Sequence, residues 1–135
     1  MPDLTAGMDR QRVSTGTEWE SQVGYSRAIR AGDTVRVAGT IATDDDGAVV
    51  APDQPYEQTR YALGIVTDAL DDLGASADDV VATRMYVTEM DHQTEVGRAH
   101  EEVFGDVRPA ATMVEVSGLA AEGAVVEVEA EAVLE

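Results

Sequence analysis

The apolar residues of this chain switch from a two-residue spacing to a helical one and back, twice, and that alternation limits the folds open to it. From Asp53, the residues Tyr56, Thr59, Arg60, Leu63, Val66, Thr67, Leu70 and Leu73 recur at three- and four-residue intervals, and Gly74 supplies a stop. A second helix is expected from about Asp91, a plausible N-cap, to Phe104, with Val96, Ala99, His100 and Val103 on one face and Gly105 at its end. Elsewhere the period is two. Tyr25–Arg30 and Thr34–Ile41 flank Gly32-Asp33 as a hairpin, and Arg10–Ser14 forms a weak first strand. Val80–Val87 is a strand entered through a helical turn at Ser76–Asp79; Pro109–Val116 and Val125–Leu134 are two more. The expected order is β-β-β-α-β-α-β-β, an α+β domain with a mixed sheet. Its two helices cover one face. The other face is left for burial in a symmetric oligomer.

One domain accounts for all 135 residues, read as a tail over 1–12 and a folded unit over 13–135. The core is modest, because aromatics are 4% and Val and Ala dominate the apolar content. Acidic residues number 27 against 9 basic ones, all Arg, for a net charge of -18. A surface this acidic repels phosphate backbones, which argues against nucleic acid as a partner. It suits a salt-adapted, halophilic protein, since at 1 M salt self-repulsion is screened within about 3 Å; the other reading is an acidic face for a cationic partner. With no Cys there is no disulfide or thiolate chemistry. No run approaches the roughly 18 apolar residues of a membrane span and the N-terminus lacks a leader pattern, so the expectation is a soluble, cytoplasmic protein.

Few residues suggest chemistry by themselves. Asp44-Asp45-Asp46-Gly47 invites a calcium reading, but Pro55 stands where an EF-hand needs its bidentate Glu, so a solvated turn is expected. His92 and His100 are too far apart for a helical metal pair, and neither a metal nor another cofactor is expected. His100 reads as a packing residue and His92 as solvated. Arg84 reads either as a buried charge paired with Glu127 or Glu129, or as a pocket donor. Trp19, the single Trp, either lines a pocket or packs.

Segments in series carry a family resemblance: Tyr25 through Gly32; Val37-Ala38-Gly39-Thr40-Ile41; Asp53 to Gly74 with Gln58-Thr59-Arg60; Asp78-Asp79-Val80-Val81 through Val87; His100 to Phe104; Pro109-Ala110-Ala111-Thr112; and Val126-Glu127-Val128-Glu129-Ala130. In this order the chain resembles the RidA/YjgF (Rid, L-PSP) family from about Val13 onward. The resemblance implies a chorismate-mutase-like fold, a homotrimer with ligand clefts between subunits, and hydrolysis of reactive enamine or imine compounds to keto acids and ammonia. It implies catalytic roles for Glu127, which would position or activate water, and for Tyr25. Ala38, Thr112 and Ala111 fall at substrate-binding positions. Ala111 stands where the family's deaminases have the Arg that pairs with a substrate carboxylate. That departure likens the chain to an Arg-lacking subgroup and leaves two functions in view: an imine or enamine deaminase-type hydrolase on a small carbonyl or imino metabolite, or a non-catalytic, chaperone-like or regulatory trimer. Arg108 is either a substitute anion clamp or an exposed turn residue.

Overall fold

The computed structural model describes residues 9–135, and positions 1–8 of the expected tail lie outside them. The elements are β1 (Arg10–Val13), α1 (Glu18–Val23), β2 (Ala28–Ala31), β3 (Thr34–Thr40), α2 (Pro55–Asp72), β4 (Val80–Val87), α3 (Gln93–Phe104), β5 (Ala110–Glu115) and β6 (Val126–Val133). They form one six-stranded sheet in the order β1-β2-β3-β6-β4-β5. Only β4 and β5 are parallel, and α3 connects them. The sheet is mixed, as expected, and the two long helices share one face of it.

Helix α1 is the element that the periodicity does not reveal. Its Thr17 hydroxyl accepts from Glu20 N, and Gly24 closes it in the left-handed region at φ 88°. At six residues it is too short to display a 3.6-residue repeat, and its signals are caps alone. Its closure also delays β2: Tyr25 N donates to Glu20 O, so pairing starts at Ala28 and not at Tyr25.

Helix α2 starts where Pro55 takes the first turn, a position that loses nothing by lacking an N–H. Gly74 follows its end with φ 81°, the expected stop. Helix α3 departs from expectation at both ends. Met90–His92 is a 3-10 turn, so His92, and not Asp91, occupies the N-cap, without a side-chain cap bond. At the far end Gly105 is right-handed at φ -57°, and it is Arg108 that takes the left-handed backbone, at φ 55°. Arg108 N and Val107 N both donate to Phe104 O, which completes the turn.

The alternation in β6 does what its sequence requires. Val126, Val128, Ala130 and Ala132 are buried under the helices with Leu63, Val66, Leu70, Val96 and Phe104. Glu127, Glu129 and Glu131 face the other way, beside Arg36 on β3 and Arg84 and Tyr86 on β4. Arg36 pairs with Glu131 at 2.8 Å, and Tyr86 hydrogen-bonds Glu129. In the single chain Arg84 is exposed, opposite Glu129 in register. Among the described residues, no helix is long and apolar enough to cross a membrane.

The Asp44–Gly47 segment is a turn held by its own carboxylate: Asp44 Oδ1 accepts from Asp46 N and Ala48 N, both at 2.9 Å. His100 shares a 2.9 Å hydrogen bond with the Thr83 hydroxyl and lies 4.8 Å from the Phe104 ring, the geometry of a satisfied packing residue. Burial lowers its pKa, which favours the neutral ring. His92 is half-buried and 3.3 Å from a Glu89 carboxylate oxygen, not simply solvated.

Candidate functional site

Three pieces of the chain that are remote in sequence meet at one place. The first is α1 and the segment leading into β2, the second is the end of β3, and the third is the start of β6. Between them and the flank of α2 opens a cavity of about 1000 Å³, lined among others by Trp19, Tyr25, Arg27, Gly39, Thr40 and Glu127.

Glu127 reaches this cavity through a gap left by glycine. The pairing of β3 with β6 slips between Val37 and Thr40, a bulge that brings Gly39 against the Glu127 side chain. A Cβ at Gly39 would lie 2.7 Å from Glu127 Oε2 and 2.9 Å from its Cδ, closer than carbon atoms pack. The carboxyl occupies that space instead. Burial raises the Glu127 pKa and the neighbouring Glu129 charge adds to the rise, while Arg27 opposes both. A carboxyl tuned upward from the ordinary range is suited to moving protons near neutrality.

Arg27 is a residue that sequence reasoning missed. Inside a short extended run it resembles any alternating polar residue, yet it is 8% exposed. Its Nη1 donates to Gly39 O at 2.6 Å and to Thr40 Oγ1 at 3.0 Å, and its Nη2 donates to Tyr25 Oη at 3.2 Å. Its Nε lies 3.8 Å from Glu20 Oε2. Glu20 is 2% exposed and accepts from the Ser14 hydroxyl at 2.8 Å, Thr15 N at 3.2 Å and the Thr15 hydroxyl. Burial alone would raise the Glu20 pKa. The hydrogen bonds from Thr15 and Ser14, with the Arg27 charge, outweigh it and hold the carboxyl below its usual range. The pair is thus charged on both sides.

The expected site residues divide into two groups. Glu127, Tyr25 and Trp19 come together on the cavity wall, with Trp19 59% exposed. Ala38, Arg108, Ala111 and Thr112 do not line it. Ala38 is in the bulge, and its N–H donates to Arg27 O. Arg108 is exposed beyond α3. Ala111 lies opposite Thr83 and Thr112 opposite Arg84 on edge strand β5, two strands from β6 in one direction while the cavity lies in the other. Within a single chain they belong to a separate surface. Among the described residues, no cluster of His, Cys, Asp and Glu has the arrangement to hold a metal.

Comparison with known proteins follows the same lines. The family described as Endoribonuclease L-PSP matches residues 15–134. A Streptomyces coelicolor protein is 39% identical over 90% of this chain and 90% of its own length. A RutC family protein of Pyrococcus abyssi is 33% identical over 70% of this chain and 75% of its own. Among solved structures, a Mycobacterium tuberculosis member of the YjgF/YER057c/UK114 family superposes with a TM-score of 0.85 at 46% identity, covering 93% of this chain and 100% of that one. With a family match across nearly its whole length, and with that fold, the chain belongs to the RidA/YjgF (L-PSP) family.

Proposed function

We propose that this protein is a cytoplasmic hydrolase of small, reactive enamine, imine or related carbonyl compounds, working as a homotrimer in a cleft that contains Glu127 and Tyr25. The observation that carries the reading is the Glu127 carboxyl, raised in pKa and seated in the Gly39 gap on the wall of a cavity that also holds the Tyr25 hydroxyl. A base for water and a hydroxyl donor for the substrate are what addition of water to a C=N bond requires. The endoribonuclease description of the family fits this chain poorly. Its net charge is -18, and Asp44, Asp45, Asp68 and Asp72 also line the cavity, a wall that repels phosphates. In the trimer, the face bearing Arg36, Arg84 and Glu131 is covered by neighbouring copies, and Ala38, Ala111, Thr112 and Arg108 meet the ligand from across an interface. Light scattering should then give three times the 14.3 kDa chain mass.

The activity is tested by generating imines with amino-acid and amine oxidases in the presence of semicarbazide, which competes for the imine. An active hydrolase lowers the rate of semicarbazone formation, and Glu127→Ala removes the effect. Including imines without a carboxylate matters, because Ala111 offers a carboxylate no charge. If no imine of either kind is hydrolysed faster than in buffer, the hydrolase reading fails and a non-catalytic, ligand-binding trimer replaces it.

A further inference from the structure

A guanidinium has donors only, and a phenol oxygen that accepts from it must turn its own proton elsewhere. The Arg27 Nη2–H points at Tyr25 Oη. The Tyr25 proton is therefore directed away from Arg27, and the side chain that bears it lines the cavity. Both Nη1 hydrogens are taken by Gly39 O and Thr40 Oγ1, so the fork cannot rotate to serve another partner. Glu20, fixed by Ser14 and Thr15, compensates the charge from behind.

We propose that Glu20 and Arg27 form a buried positioning pair that fixes the Tyr25 hydroxyl as a donor into the cavity and, through Gly39, which Arg27 and Glu127 both contact, acts on the Glu127 carboxyl. The inference rests on the hydrolase reading for its kinetic consequences, but not for its structural ones. Arg27 is not itself a substrate clamp, because three of its hydrogens are committed within the chain. The pair also uses Gly39 at both ends: the carbonyl holds Arg27, and the missing side chain makes room for Glu127. Charge reaches Glu127 from Glu129 on its own strand and from Arg27 ahead of β2; Tyr86, opposite it on β4, is a neutral phenol, and Gly39, its contact on β3, carries none.

Two variants of the full chain test this. In Glu20→Gln/Arg27→Gln, neutral amides replace both charges, so no lone buried ion is left to unfold the protein. In Arg27→Lys the charge remains but the fork is lost. Two measurements are made on each, with circular dichroism as the check on folding. The first is the Glu127 titration by carbon-13 NMR of Glu-labelled protein, assigned by difference from Glu127→Gln. It should move to higher pH in the double variant and stay near wild type in Arg27→Lys. The second is imine hydrolysis. Loss of the Tyr25 orientation should lower kcat by roughly tenfold or more in both variants, with KM held within about threefold. In a Tyr25→Phe background, assayed at a pH above the Glu127 titration of every variant, the same changes should add no more than about twofold. Losses that add in full to that of Tyr25→Phe, or a KM rise at constant kcat, would mean that Arg27 contacts the substrate directly, and they overturn the proposal. So does a Glu127 titration that does not move in the double variant. If the wild type hydrolyses no imine, only the functional reading falls, and the titration, which needs no substrate, decides the pair. Should the double variant not fold, Arg27→Lys alone still separates the outcomes through kcat and its non-additivity with Tyr25→Phe.

Discussion

Replacing Glu127 with glutamine is expected to lower imine hydrolysis by about 10² to 10⁴-fold, the usual contribution of a positioned acid or base, while leaving the fold intact. The amide keeps the shape of the carboxyl in the Gly39 gap and removes only its proton chemistry. The pH dependence distinguishes this from a packing defect. Burial, with help from Glu129, raises the Glu127 pKa above its ordinary value near 4.5. A base must be ionised to act, so wild-type activity should climb with pH through a midpoint above that value. In the variant the limb should be missing. Stability runs the opposite way. A carboxyl whose folded pKa is raised contributes fully below its unfolded pKa, and that contribution is lost as pH rises through the folded value. Urea unfolding at neutral pH should therefore show the variant at least as stable as wild type. Gly39→Ala is the companion change, because its methyl forces the carboxyl end aside without altering charge. A displacement of about 1 Å can cost on the order of 10²-fold in rate. Full activity in Glu127→Gln would remove Glu127 from the mechanism.

The largest loss of stability is expected from Gln58→Ala. Gln58 is fully buried on α2, and its amide clips two loops to the helix. Nε2 donates to Ala51 O at 3.1 Å and to Gly123 O at 2.8 Å, and Oε1 accepts from Val125 N at 2.9 Å. Truncation leaves Val125 N without its partner, at roughly 1–3 kcal/mol where it stays buried, and opens a cavity; Ala51 O and Gly123 O keep their bonds from Gln54 N and Asp53 N. With partial relaxation the expected loss is about 3–5 kcal/mol, a large share of the 5–15 kcal/mol typical of a whole domain. Thermal and urea unfolding measure it directly. A loss below about 1 kcal/mol would show that water takes over the bond to Val125 N. Because the loops held by Gln58 run to the cavity through Ala51 and into β6 just ahead of Glu127, the variant should also lose activity before it melts.

Gln58 shows the difference between recognising a residue and explaining it. As part of Gln58-Thr59-Arg60 it helps identify the family, yet nothing local says that its amide spans two loops. His100 is the reverse case: a helical periodicity that puts it beside Phe104 already predicts packing, and the Thr83 hydrogen bond completes that prediction. Tyr25 and Glu127 were legible as candidates only through resemblance, and Trp19 only as the single Trp of the chain. Their meeting on one wall is a property of the fold.

What the sequence alone determined was set by short-range rules: the two long helices and the Gly74 stop, the hairpin at Gly32-Asp33, and the alternation that turns Glu127, Glu129 and Glu131 to one face of β6. These follow from periodicity and backbone freedom within a few residues. Tertiary structure alone decided that Arg27 is buried, that Gly39 leaves room for a carboxyl, and that α1 carries Glu20 behind them. The physical reason lies in the strand order: β6 inserts beside β3, and that pairing sets the last strand against residues from the first third of the chain. A long-range pairing of this kind leaves no period in the sequence to be read.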